Sequence, residues 1–228
     1  MPGSMVTFTA EGSSEEFSAY LSPAASGSGP GVIVIQEWWG LVDHIKDVAD
    51  RFAAAGFTAL APDIYQGEAT SNPDDAGKLM MALNIEQTEV LLRGAVAKLK
   101  AHEATAGESI GSVGFCMGGQ LSMMAACNNA DVGACVNFYG IHPAVNLNLD
   151  GLQGPVLGFF AEKDGFVNTE AVTGLMTAME AASKRFEVHR YLDVDHAFFN
   201  DSRADVYHEA SATDAWNKTL AFFRQHLS

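Results

Sequence analysis

The order of apolar and polar positions divides the chain into short β-branched runs that alternate with longer stretches of helical period. Gly31-Val32-Ile33-Val34-Ile35 is apolar throughout, the pattern of a strand covered on both faces of a parallel sheet. After it, Ile45, Val48, Ala49 and Phe52 recur at helical spacing, with Asp43 as the expected N-cap and Gly56 as the punctuation that ends the helix. Residues 58–61 form the next predicted strand, closed by Pro62. Asn72-Pro73 then opens a helical region whose second part, residues 85–102, sets Val90, Leu91, Ala95 and Leu99 along one stripe. Further strands are predicted over residues 109–115, 134–139, 155–161 and 186–192, and further helices over 118–127, 169–182 and 205–227. With residues 6–9 and 17–21 at the front, the count is eight strands, with helices between most of the later ones. This order predicts a single α/β domain over residues 1–228, three layers deep, with a mostly parallel eight-stranded sheet. The Ser/Gly/Pro/Ala-rich segment 22–30 reads as a surface loop, because the residues before it are too few for a core of their own.

Composition narrows the possible partners. Thirteen Lys and Arg against 28 Asp and Glu leave a formal charge of −15 over 228 residues. A phosphate backbone needs a basic face, so nucleic acid is excluded as a partner on this reading, and an anionic membrane surface with it. Apolar residues make up 48% of the chain, enough for a sizeable core. The three cysteines, Cys116, Cys127 and Cys135, make no C-x-x-C pair and have no histidines at zinc-finger spacing, which suits a reducing compartment and suggests neither disulfides nor a structural metal. No apolar run approaches the roughly 18 residues needed to span a bilayer, and the N-terminus lacks the basic and apolar regions of a signal peptide. The expectation is a soluble, cytoplasmic protein.

Ligands of parallel sheets bind beyond the carboxyl ends of strands, so residues that follow strands are the first candidates for chemistry. After the fifth predicted strand comes Gly114-Phe115-Cys116-Met117-Gly118-Gly119, a G-x-S-x-G turn with cysteine in the nucleophile position. A side chain there points out of the sheet and sits at a helix N-terminus, where free N–H groups favour a thiolate. The bland alternative is an inert cysteine in a Gly-rich turn. After the seventh strand stands Asp164, in Glu162-Lys163-Asp164-Gly165, and after the eighth His196, in Asp193-Val194-Asp195-His196. Nucleophile, acid and histidine in that chain order are the order of the α/β-hydrolases. Asp164 could instead be a simple turn former, and His196 a structural histidine or a metal ligand with Asp193 and Asp195. The third strand ends in Gln36-Glu37-Trp38-Trp39-Gly40, the position that supplies a second oxyanion-hole N–H in such a fold, so the hole is assigned to the backbone of Trp38 and Met117. Glu37, beside two tryptophans and the nucleophile turn, is a candidate proton acceptor for the thiol. Trp38, Trp39, Tyr139, Phe166 and Phe198 are candidate cleft-lining aromatics, and the short connection from Tyr139 to Pro155 leaves no room for a separate lid domain. Nothing in the pattern calls for a cofactor or a metal.

At these residues the sequence resembles the dienelactone hydrolase family of α/β-hydrolases, over almost the whole chain from about Val6 to the final helix. The resemblance rests on Q-E-W-W-G with Glu37, G-F-C-M-G-G with Cys116, F-Y-G with Tyr139, E-K-D-G-F-V with Asp164 and D-H-A-F-F-N-D-S-R with His196. It implies an α/β-hydrolase fold and a small lactone or ester as substrate. It also implies Cys116 as nucleophile, His196 as base, Asp164 as orienting acid, and Glu37 as a carboxylate that pairs with the resting thiol. Members of the family hold a substrate carboxylate with two arginines. Here the only cation between Asp63 and Glu89 is Lys78, and the position four after His196 is Asn200, which leaves Arg203 as the candidate substrate-binding cation. Two other readings stand beside the hydrolase: a thiol redox sensor built on Cys116, and a catalytically silent small-molecule binder.

Overall fold

The computed structural model describes residues 2–227. Its strands are β1 (Ser4–Thr9), β2 (Glu16–Ser22), β3 (Gly29–Ile35), β4 (Thr58–Pro62), β5 (Thr105–Phe115), β6 (Val132–Phe138), β7 (Val156–Ala161) and β8 (Phe186–Tyr191). Its α-helices are α1 (Asp43–Ala54), α2 (Pro73–Met81), α3 (Ile85–Lys100), α4 (Met117–Asn128), α5 (Thr169–Ala181) and α6 (Glu209–His226). The eight strands form one sheet in the order β1-β2-β4-β3-β5-β6-β7-β8. The two pairings made by β2 are antiparallel and the other five are parallel.

Strand periodicity builds the three layers. Val32 and Val34 of β3 face Ile45, Val48 and Phe52 of α1 and Phe223 of α6, whereas Ile33 and Ile35 face Leu91 and Leu99 of α3 and Leu121 of α4. All four β3 side chains are fully buried, each worth about 1.5–3 kcal/mol of transfer free energy. The arrangement is the α/β-hydrolase fold that the family resemblance implies. It brings the carboxyl ends of β3, β5, β7 and β8 to one edge of the sheet.

Several boundaries differ from the expected ones, each for a local reason. Val42, not Asp43, is the N-cap of α1, and Asp43 is its first helical residue, where a carboxylate still meets the positive end of the helix. Asn72 does cap α2, its side chain accepting from the N–H groups of Asp74 (2.9 Å) and Asp75 (3.3 Å). β5 starts at Thr105, four residues before the expected start, because Gly29 pairs with Thr105 ahead of a register shift that the apolar pattern does not reveal. α6 starts at Glu209, capped by His208, since residues 203–205 stay in a turn in which Arg203 pairs with Asp205. Pro62 lies inside β4 as its last residue, opposite Ala19. Tyr139 falls just beyond β6 with φ 42°, outside the extended range. Among the described residues no helix is long and apolar enough to cross a membrane.

Candidate active site

Cys116 occupies the turn between β5 and α4 with φ 55° and ψ −127°, a conformation that L-residues rarely adopt. Two neighbours hold it there: its N–H donates to the Phe138 carbonyl of β6 (3.0 Å), and its own carbonyl accepts from the Gly119 N–H (2.9 Å). The flanking glycines are required by contact. A Cβ on Gly114 would lie 1.8 Å from the Gly118 carbonyl oxygen, and one on Gly118 would lie 2.4 Å from the Gln36 oxygen. The turn is therefore packed directly against the end of β3, which carries Glu37 and Trp38. Gly118→Ala is expected to lower stability by about 1–3 kcal/mol through overpacking, read as a reduced urea midpoint at unchanged m value. An unchanged midpoint would contradict this packing.

The loops after β7 and β8 are stitched together. Lys163 N–H donates to the Val194 carbonyl (2.9 Å), Glu162 N–H to the Tyr191 carbonyl (3.0 Å), and Asp193 N–H to the Glu162 carboxylate (3.0 Å). Asp164, buried, uses both carboxylate oxygens: Oδ1 accepts the N–H groups of Phe166 and Val167 at 2.8 Å each, and Oδ2 lies 2.6 Å from Nδ1 of His196. The Asp193 side chain turns away to Lys163, at 3.2 Å, so it does not join His196 in a metal-like cluster. Burial pushes the His196 imidazole down, but its hydrogen bonds with Asp164 and Cys116 and the charges of those groups outweigh this and hold it at about 10. The sulfur, imidazole and carboxylate singled out from the sequence thus meet at one rim.

Glu37 is buried behind this group. Its Oε2 accepts a hydrogen bond from the Asn200 amide at 2.6 Å, and its Oε1 has no partner among the described residues. The expected pairing of Glu37 with the thiol is corrected here: Asn200, four residues after His196, takes the carboxylate. His44 lies near enough to feel the Glu37 charge, but burial dominates and lowers its pKa. The Tyr139 phenol is pushed well above its usual range, first by burial and then by the charges of Glu37, Cys116 and Asp164, so it stays protonated.

A cavity of about 330 Å³ opens onto Cys116 and His196. Trp38, Trp39, Phe166 and Arg203 line it as expected, with Phe166 strongly exposed at the rim and edge-on to Trp38. Tyr139 and Phe198 do not line it. Both are fully buried; Tyr139 backs His196 at a ring distance of 5.0 Å and Phe198 packs between Tyr139 and Tyr191, so these two assignments are corrected to core residues. Lys78 points away and pairs with Asp75. Sequence reasoning missed Met80, Ile141, Pro143 and Val167, which complete the apolar wall. Met80 reaches the cavity from the end of α2, and its carbonyl lies 3.2 Å from Nε2 of His142, a long-range contact without a sequence signal. The N–H groups of Trp38 and Met117 donate no hydrogen bond among the described residues.

Comparison with known proteins fits this geometry. A family model described as "Dienelactone hydrolase family" matches residues 17–227. "Protein usf" of Aquifex pyrophilus is 40% identical over 233 residues, covering 99% of this chain and 100% of its own. A protein of Aquifex aeolicus (strain VF5), named as a candidate carboxymethylenebutenolidase, is 35% identical over 207 residues, covering 88% of this chain and 90% of its own. Among solved structures, one named as a candidate dienelactone hydrolase of Klebsiella pneumoniae superposes with a TM-score of 0.83 at 32% identity, covering 98% of this chain and 100% of its own.

Proposed function

Because the chain belongs to the dienelactone hydrolase family, whose members act on esters or lactones, we propose that it cleaves a small ester or lactone by nucleophilic catalysis at Cys116. The observation that carries this reading is the 2.6 Å contact between Asp164 and His196, with His196 lining the same cavity as Cys116 on its strained turn. A histidine held at about 10 is a strong enough base to take the proton of the Cys116 thiol as the sulfur attacks. The thiolate adds to the substrate carbonyl, and the N–H groups of Trp38 and Met117 receive the oxyanion. Collapse of the adduct breaks the acyl C–O bond, and His196 delivers its proton to the leaving alkoxide. In a lactone that alkoxide stays attached as the ring-opened chain. The neutral imidazole then takes a proton from water, the resulting hydroxide adds to the thioester, and the carboxylic acid departs as the thiolate and imidazolium are restored. Thiolate is a good leaving group from the tetrahedral adduct, so activated esters and enol lactones outrun amides.

The test is turnover of 4-nitrophenyl acetate and of α- and β-substituted butenolides, with acid quench and peptide mass mapping during the steady state. Acyl label is expected on Cys116 and on neither Cys127 nor Cys135. Turnover with no acyl-thioester at Cys116 would remove the covalent route, and no turnover of any of these substrates would favour the redox or silent readings.

A further inference from the structure

The charges around the cavity point to the class of acyl group it admits. Two lining residues are cationic, and each already has its own carboxylate. His196 is matched by Asp164 at 2.6 Å, and Arg203 by Asp205 at 2.5 Å while it lies over the Trp39 ring at 5.8 Å. One lining carboxyl group has no cationic match: Glu37 is met by a neutral amide, Asn200, and its second oxygen has no partner. The rest of the wall is apolar, formed by Met80, Ile141, Pro143 and Val167 with the tryptophans and Phe166. An anionic group brought in here would lose water, lie beside Glu37, and find no unmatched cation.

We propose that the site selects uncharged, apolar acyl groups and discriminates against acyl groups that end in a carboxylate, with the Glu37–Asn200 pair as the specificity-determining element. The inference rests on the reading of Cys116 as an acyl-accepting nucleophile. Arg203 does not act as a substrate anchor on this view, because its charge is already shared with Asp205 and an incoming carboxylate would still lie beside Glu37.

Two esters of equal acyl length separate the possibilities: 4-nitrophenyl pentanoate, ending in a methyl group, and the mono-4-nitrophenyl ester of glutaric acid, ending in a carboxylate. After subtraction of the uncatalysed rates, kcat/KM is expected to favour the pentanoate by about 100-fold. Glu37→Gln replaces the unmatched carboxyl group with a neutral amide and is expected to narrow this ratio by about tenfold, whatever it does to the absolute rates. Equal rates on the two esters in the wild type would overturn the selectivity while leaving the hydrolase intact. So would a selective loss of glutarate turnover in Arg203→Ala, which would make Arg203 the anchor. Failure to turn over either ester would overturn the nucleophile reading, and the selectivity with it.

Discussion

Cys116→Ala is expected to lower kcat/KM for 4-nitrophenyl acetate by about 10⁴-fold or more, with the unfolding midpoint nearly unmoved. The size follows from what the sulfur does and what survives its loss. Without it no covalent intermediate forms, and the N–H groups of Trp38 and Met117, the proposed oxyanion hole, can only polarise a carbonyl for slow attack by water. The fold is spared because alanine meets the same backbone demand at φ 55° as cysteine does, and because a partly exposed side chain leaves no closed cavity behind. The same residue should govern inactivation by iodoacetamide. Cys127 and Cys135 are buried, and burial raises their thiols to about 11 and about 12, so both are protected and poorly ionised at neutral pH. Loss of activity should therefore track carboxamidomethylation of Cys116 alone. A variant with Cys116→Ala that kept the wild-type rate would show that the chemistry lies elsewhere.

What the sequence made legible was the part of the site written in local patterns. The β-branched run at residues 31–35, the glycines around Cys116 and the turn residues around Asp164 and His196 each carry their signal within a few positions, and the topological rule for parallel sheets places them at one edge. Residues whose role depends on a distant partner were not legible. Asn200 reads as one polar residue in a loop until the fold brings it to Glu37, 163 positions away. Met80 reads as a helix residue until α2 folds across the cavity. Tyr139 and Phe198 misled for the complementary reason: large aromatics just after strands can face either the cleft or the core, and the choice is made by neighbours such as Phe138 and Tyr191. The expected partner of Glu37 failed in the same way, since carboxylates near a thiol take whichever donor the loops present.

Asp164→Asn is expected to reduce kcat/KM by about 10³- to 10⁴-fold with little change in side-chain volume, a loss of the size seen when other triads are altered in this way. The direction follows from the hydrogen bonds around the carboxylate. One oxygen accepts two backbone N–H groups, from Phe166 and Val167, and only the carbonyl oxygen of an asparagine can take over that position. The amide NH₂ is thereby turned toward Nδ1 of His196, which must become an acceptor, so the imidazole carries its single proton on the other nitrogen, facing Cys116. In that tautomer the ring cannot receive the thiol proton. Loss of the Asp164 hydrogen bond and charge also removes causes that hold His196 at about 10, so its pKa falls. With an alkyl ester, whose leaving group needs the imidazolium proton, wild-type activity should fall as pH rises through about 10, and the residual activity of the variant should fall at lower pH. The stability sign is fixed by the same shift. A histidine raised above its unfolded value near 6.5 stabilises the fold fully below that pH and loses the contribution as pH rises through the folded value, so the stability difference between wild type and variant should shrink in strongly alkaline buffer. A variant that kept its rate and its descending pH limb would mean that the 2.6 Å contact holds the loop but takes no part in proton transfer.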